Sequence, residues 1–291
     1  MGIFDVKSVA VVGVSNNEKK AGNIIFRNLI KRFNGEVFPV NPKYETILGI
    51  RCYKSLEEIE KDIDAVIISI PAEGVPEVVK QAVNKRAKLV IIISSGFSEV
   101  GRKDLEEEIL KYIKNSNTRV LGPNGLGIYD PYTGLDSFFI EDNRIKRPKK
   151  GNIALLSQSG ALAMAFMEWL SEKDIGVSKI ISYGNKIDLD EVDLIKELNE
   201  DSNTKAIFIY MEGLRENRGR EFLELCNKIN KPIVVLKAGK SKRGAIAVSS
   251  HTAAMAGDYE IYSNLFKQFN IIEAKNMHDF MTYLKTLAIY L

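Results

Sequence analysis

Short β-branched runs alternate with amphipathic stretches along the whole chain, the pattern of parallel sheets covered by helices. SVAVVG (Ser8–Gly13), EVFPV (Glu36–Val40), DAVIISI (Asp64–Ile70), KLVIIIS (Lys88–Ser94) and RVLG (Arg119–Gly122) predict five strands. Between them, Val75, Val78, Val79, Ala82 and Val83 fall on one helical face, and Leu105, Ile109, Leu110 and Ile113 make a similar stripe. A second alternation begins at NIALLS and continues through SKIISYG, KAIFIYME, PIVVLKAG and NIIEA. The fold class this predicts is α/β, with two tandem doubly wound parallel-sheet domains. In such sheets ligands gather beyond the carboxyl ends of the strands, so the loops after each strand are where function should lie.

Residues 129–150 break the rhythm with Pro131, Gly134 and Pro148 among polar residues, which places a connection there between a first domain at 1–128 and a second at 151–291. A chain of 291 residues with 45% hydrophobic composition can furnish a core for both. Basic and acidic residues nearly balance, 41 against 38, and the one basic run, RIKRPKK (Arg144–Lys150), reads as a solvated linker, so nucleic acid is not an expected partner. No apolar run approaches the roughly 20 residues that cross a bilayer, and no signal-peptide pattern precedes the first strand. Cys52 and Cys226 lie far apart, in no metal-binding or CxxC spacing, which fits a reduced, cytoplasmic protein with no metal site of its own.

After the first strand, GVSNNEKKAGN (Gly13–Asn23) is a small-residue turn leading into a helix, and backbone amides in such a turn can hold a phosphate. The GxGxxG dinucleotide fingerprint is absent. After the second strand the chain reads Asn41-Pro42-Lys43 where a dinucleotide fold would place an acid for the ribose hydroxyls. A lysine there suits a phosphorylated ribose, that of NADP or of coenzyme A; a plain turn with a solvated Lys43 is the equal alternative. SIPA (Ser69–Ala72), SSGFSE (Ser94–Glu99) and GPNGLG (Gly122–Gly127) add small polar loops at later strand ends.

In the second half, Ser157-Gln158-Ser159-Gly160 stands between a strand and a helix, either as an anion cradle or as an ordinary serine N-cap. Glu212 follows the strand ending near Tyr210, where a carboxylate can hold one nitrogen of an imidazole and leave the other nucleophilic; a solvated loop acid is the alternative. Asp190 reads as the N-cap of the helix beginning near Glu191. One of the two histidines, His251, lies in SSHTAAMAGD (Ser249–Asp258), amid small side chains that permit close approach. His278 has no such setting and reads as structural.

The ordered set GVS, NPK, SIPA, SSGFSE, GPN, SQSG, YMEG, KAGKS and SSHTAAMAGD resembles the nucleoside-diphosphate-forming acyl-CoA synthetases, most closely the α subunit of the ADP-forming acetyl-CoA synthetases and more distantly that of succinyl-CoA synthetase. The resemblance implies a Rossmann-like CoA-binding domain followed by a flavodoxin-like domain bearing a transiently phosphorylated histidine. Carried over by position, Gly13, Ser15, Lys20, Lys43, Pro71, Ser94, Ser95 and Gly96 would contact coenzyme A. His251 would be the phosphohistidine, Glu212 its orienting carboxylate, and Ser157, Ser159 and Gly160 the phosphate cradle. The implied reaction is acyl-CoA + ADP + phosphate to acid + CoA + ATP, reversibly. Nothing in the chain looks like an ATP-grasp fold, so the resemblance also implies a partner β subunit carrying Mg²⁺ and ADP/ATP, in a hetero-oligomer that acts on a small carboxylic acid or its acyl-CoA. A further domain that many relatives carry after the second would sit on that partner or be absent. Ala253 and Ala254 stand where relatives commonly have Gly and Ser, and Gly125 where a Cys is frequent; Met164 is a candidate wall of the acyl pocket. The alternatives are a non-catalytic CoA-binding sensor or scaffold and an NADP-dependent oxidoreductase.

Overall fold

A computed structural model describes residues 2–240 and 259–291; His251 and the rest of its motif to Asp258 lie outside the described residues. The chain divides into two compact units, Met1–Ile145 together with Tyr183–Asp188, and Lys146–Ser182 together with Leu189–Leu291.

The first unit is built on β1 (Ser8–Val12), α1 (Ala21–Arg32), β2 (Glu36–Val40), a small hairpin of β3 (Thr46–Ile47) and β4 (Ile50–Arg51), β5 (Ala65–Ile68), α2 (Val75–Asn84), β6 (Leu89–Ile92), α3 (Lys103–Ile113) and β7 (Arg119–Leu121). Five strands form a parallel sheet in the order β2-β1-β5-β6-β7. β1, β5 and β6 are buried at every position, which is why they read as unbroken apolar runs rather than alternations. Each Val or Ile so buried contributes about 1.5–3 kcal/mol over leaving it in water. Pro39 is tolerated because β2 is the outermost of the five strands, where one missing donor does not break a central ladder. The helices bury one stripe each on this sheet, with Val75, Val79 and Ala82 of α2 and Leu105 and Ile109 of α3 joining Val66, Ile68, Val90 and Ile92 in one core.

Residues 129–145, within the stretch read as a connection, group with this first unit. They carry the end of β8 (Gly127–Asp130) and β9 (Leu135–Asp136), an antiparallel pair. Past β9 the chain is tied to α1: the Asn28 side chain donates to the carbonyls of Phe138 (2.8 Å) and Ile140 (3.2 Å), and Arg27 and Lys31 pair with Glu141 (2.7 Å) and Asp142 (2.6 Å).

The second unit comprises β10 (Lys150–Ser157), α4 (Gly160–Glu172), β11 (Val177–Ser182), α5 (Glu191–Glu200), β12 (Ala206–Met211), α6 (Gly219–Lys228), β13 (Ile233–Lys237), α7 (Tyr259–Gln268), β14 (Ile272–Glu273) and α8 (Met277–Tyr290). Its parallel strands neighbour one another as β14-β13-β12-β10-β11. Counted within each unit, both orders are 2-1-3-4-5, so each sheet has one point where the winding reverses: between β1 and β5, and between β10 and β12. Asp190 caps α5 as its sequence setting predicts, in a reciprocal capping box with Asp193. His278 is exposed in the first turn of α8. Among the described residues, no helix is long and apolar enough to cross a membrane.

Candidate functional site

At the first reversal, the loops after β1, β2 and β5 enclose two adjoining cavities of about 410 and about 360 Å³ that share Gly13, Asn41, Lys43 and Ile70. The larger is lined by Gly13, Ser15, Lys20, Lys43 and Pro71, which brings five of the sequence-predicted CoA contacts together. The smaller is mostly apolar, walled by Val12, Val40, Leu56, Ile70 and Val78, with Lys43 and Lys54 at its polar side.

Close backbone approach shapes this cleft. Gly13 has φ +97°, and a Cβ there would stand 2.2 Å from the carbonyl oxygen of Ser69. Gly22, in the first turn of α1, lies against Gly13 in turn: its Cβ would meet the Gly13 carbonyl at 2.4 Å. Sequence reading missed Gly22, although it performs what the last glycine of a dinucleotide fingerprint does, bringing helix onto strand; the longer intervening loop hid the spacing. No side chain caps α1, and its first two residues, Ala21 and Gly22, line the larger cavity, where helix-terminal amides are able to bind an anion. Lys20 and Lys43 are exposed around the same cavity, and among the described residues neither is paired with a carboxylate.

Two asparagines hold the loop in place. Asn23 donates to the carbonyl of Ser15 (2.6 Å) and Asn41 to that of Val14 (2.6 Å), while the Asn41 Oδ1 accepts from the Lys43 amide (2.9 Å) and fixes the turn that carries that lysine. The Ser15 hydroxyl accepts from the Asn17 amide (3.1 Å), which leaves its proton to donate into the cavity it lines.

Ser94, Ser95 and Gly96 do not line either cavity. The Ser94 hydroxyl donates to the carbonyl of Ile70 (2.5 Å) and accepts from its amide (3.2 Å), clamping the loop after β5 that forms the cleft wall. Gly96 has φ +106° and donates its amide to Glu99 (2.6 Å). Burial raises the Glu99 carboxyl, but hydrogen bonds from Asn185 and from the amides of Gly96 and Phe97 outweigh it and hold its pKa below the usual value.

At the second reversal stand the other predicted residues. Ser157 ends β10, fully buried, and its hydroxyl donates to the Ser159 carbonyl (2.7 Å). Ser159 is the N-cap of α4, its hydroxyl accepting from the Leu162 amide (3.3 Å), and Gly160 opens the helix. Ser157 pairs in register with Tyr210 on β12, so Glu212 lies just beyond the adjacent strand end. Gln158 bridges the two loops: its Oε1 accepts from the amides of Glu212 (2.9 Å) and Gly213 (3.4 Å). Glu212 is buried, 6% exposed. Burial and the Glu212 charge push the Tyr210 hydroxyl up to about 12, so it stays neutral at working pH. Ser157, Ser159, Gly160 and Glu212 thus converge on one strand edge of the second unit. Met164 is half-buried on α4. Among the described residues there is no cluster of His, Cys, Asp and Glu able to hold a metal ion.

Comparison with known proteins agrees with this architecture. Residues 7–131 match the family described as a CoA binding domain, and residues 150–287 the family described as a succinyl-CoA ligase like flavodoxin domain. The chain is 41% identical over 292 residues to acetate–CoA ligase [ADP-forming] I of Archaeoglobus fulgidus, covering 99% of this chain and 42% of that protein. It is 39% identical over 295 residues to the α subunit of acetate–CoA ligase [ADP-forming] I of Pyrococcus furiosus, covering 98% of this chain and 63% of the subunit. The structure of dinucleotide forming acetyl-coenzyme A synthetase 1 of Ca. Korarchaeum cryptofilum, in complex with phosphate and ADP, superposes with a TM-score of 0.92 at 38% identity over 98% of this chain and 61% of that one. The chain therefore spans 42% and 63% of the length of these two curated relatives.

Fold and motifs together define a CoA-binding domain followed by a flavodoxin-like ligase domain. The chain belongs to the nucleoside-diphosphate-forming acyl-CoA synthetase family, in which it matches the α subunits of ADP-forming acetate–CoA ligases.

Proposed function

We propose that the chain is the α component of an ADP-forming acyl-CoA synthetase, binding coenzyme A at the first reversal and carrying a phosphoryl group on His251. The observation that carries this reading is that both winding reversals, one per unit, hold the predicted residues: Gly13, Ser15, Lys20, Lys43 and Pro71 at one, and Ser157, Ser159, Gly160 and Glu212 at the other. The cleft suits coenzyme A on its own terms. Amides at the start of α1 and two exposed lysines favour phosphates, the apolar cavity suits a purine ring, and Lys43 stands where a phosphorylated ribose would be met.

In this scheme phosphate displaces CoA from the acyl group. The resulting acyl phosphate gives up its phosphoryl group to His251: the N–P bond forms, the P–O bond breaks, and the carboxylate leaves with the bonding electrons. Neutral imidazole is nucleophilic at one nitrogen only if its proton is held at the other, which is the task assigned to Glu212. The α4 N-terminus at Ser159 and Gly160 would stabilise the transferred charge. ADP, held with Mg²⁺ on an ATP-grasp β subunit, would then receive the group, the two subunits acting together in the cytoplasm on a small carboxylic acid.

The test is the phosphoenzyme. After incubation with acyl-CoA and phosphate, the wild-type chain is expected to carry acid-labile, base-stable phosphate, and His251→Ala none. Equal labelling of the variant overturns the phosphohistidine, and unlabelled wild type that still binds CoA leaves the non-catalytic sensor in its place. The CoA half is checked separately by calorimetric titration. Lys43→Glu is expected to lower CoA affinity about 10- to 100-fold, from a lost charge-assisted contact of about 1.5–3 kcal/mol. Dephospho-CoA should be affected less, and equal losses for the two ligands would remove Lys43 from the 3′-phosphate.

A further inference from the structure

The backbone of Glu212, Gly213 and Leu214 is held from three separate elements. From the turn after β10, the Oε1 of Gln158 in the SQSG run accepts from the amides of Glu212 and Gly213 of the neighbouring loop. From α7, the Tyr262 hydroxyl accepts from the amide of Leu214 (3.4 Å). From the last position of β13, the Lys237 ammonium donates to the carbonyl oxygens of Glu212 (2.8 Å) and Ala238 (2.7 Å) and stands 4.8 Å from the centre of the Tyr262 ring.

Lys237 is 1% exposed. It follows four buried apolar residues on β13 and lies in register with Met211, a position that packing alone would fill with Leu or Met. Burying an ammonium is costly unless its bonds are well made. Here one of them ends on the residue whose carboxylate the proposed chemistry needs, and the cation also meets the Tyr262 ring of α7.

We propose that Lys237 is a positioning residue: by fixing the Glu212 carbonyl from below, it sets where the Glu212 carboxylate stands. The inference rests on the reading of Glu212 as the carboxylate that orients His251, and a double-mutant cycle separates the two. The full chain is assayed with its partner subunit for ATP formation from acyl-CoA, ADP and phosphate. Glu212→Gln is expected to lower kcat more than 100-fold. Lys237→Met is expected to lower kcat about 10- to 100-fold with KM for acyl-CoA changed less than threefold, because the CoA cleft belongs to the first unit. In the Glu212→Gln background, Lys237→Met should cost less than threefold further, since there is then no carboxylate left to place.

If Lys237→Met leaves kcat unchanged while Glu212→Gln abolishes it, or if the two losses multiply, the positioning role is overturned and the role of Glu212 stands. If Glu212→Gln itself is fully active, both fall together. Should Lys237→Met not fold, Lys237→Arg, which keeps the charge but shifts the donor, is read in the same cycle. Sub-multiplicative losses with Glu212→Gln support the proposal, and multiplicative ones overturn it.

Discussion

Gly13→Ala is expected to destabilise the first unit by about 2–5 kcal/mol and to weaken CoA binding more than tenfold. Two costs combine. At φ +97° an L-residue is strained by about 1–2 kcal/mol, and the added methyl would stand 2.2 Å from the backbone oxygen of Ser69 and 2.8 Å from a side-chain carbon of Ile70. A backbone oxygen at the end of a buried central strand cannot rotate away as a flexible side chain could, so relief requires the Gly13 loop or the end of β5 to move, which costs about 1–3 kcal/mol more. Both borders line the cavities, so the same displacement spoils the ligand site. Gly49 supplies the control: its φ is +77°, but nothing lies within 4 Å of a Cβ there, so Gly49→Ala bears the conformational strain alone. Urea unfolding and CoA titration of both variants decide the matter; equal midpoints for Gly13→Ala and Gly49→Ala would show that the close approach does not hold the cleft.

How much of this was legible beforehand follows from what each element buries. Strands covered on both faces, such as β5 and β6, announce themselves because no position needs to be polar. The loops at the two reversals were equally accessible, since Gly, Ser, Asn and Pro accumulate where a chain must turn and leave room for a ligand. Lys237 was not legible: a lysine closing an apolar run reads as the solvated end of a strand, and only the fold brings the Glu212 carbonyl and the Tyr262 ring to it. Nor was the attachment of residues 136–142 to α1. It depends on Asn28 reaching carbonyls 110 and 112 positions away and on Arg27 and Lys31 pairing with Glu141 and Asp142, which leaves no periodic trace. Ser94 has a role that its residue type does not announce: its hydroxyl joins the loops that follow β5 and β6 by bonding the Ile70 amide and carbonyl.

The second large effect belongs to Asp190. This carboxylate is fully buried, caps α5 by accepting from the Val192 and Asp193 amides, and takes a two-bond fork from Arg218 at 2.8 and 2.9 Å. Arg218 itself is 19% exposed and also reaches Asp193 and Glu221, so removing Asp190 leaves a largely buried guanidinium short of its main partner. Asp190→Ala is expected to cost about 3–5 kcal/mol, the range for breaking a buried pair, with the lost cap included. Asp190→Asn keeps a capping oxygen and isolates the charge. Burial raises the Asp190 carboxyl, but the bonds and charge of Arg218, with Asp193 and Arg215, outweigh it and hold its pKa below the ordinary value. A carboxyl depressed by folding contributes stability that is complete above its unfolded pKa, near 4, and is lost as pH falls through the lower folded value. The wild type should therefore lose part of its advantage over Asp190→Asn only below about pH 4, and the gap should be constant from about pH 5 to 8. Urea midpoints measured for both proteins from pH 8 down to 2.5 read this directly. A gap that stays constant to the acid end would mean that the ionised fork with Arg218 adds nothing beyond the neutral cap.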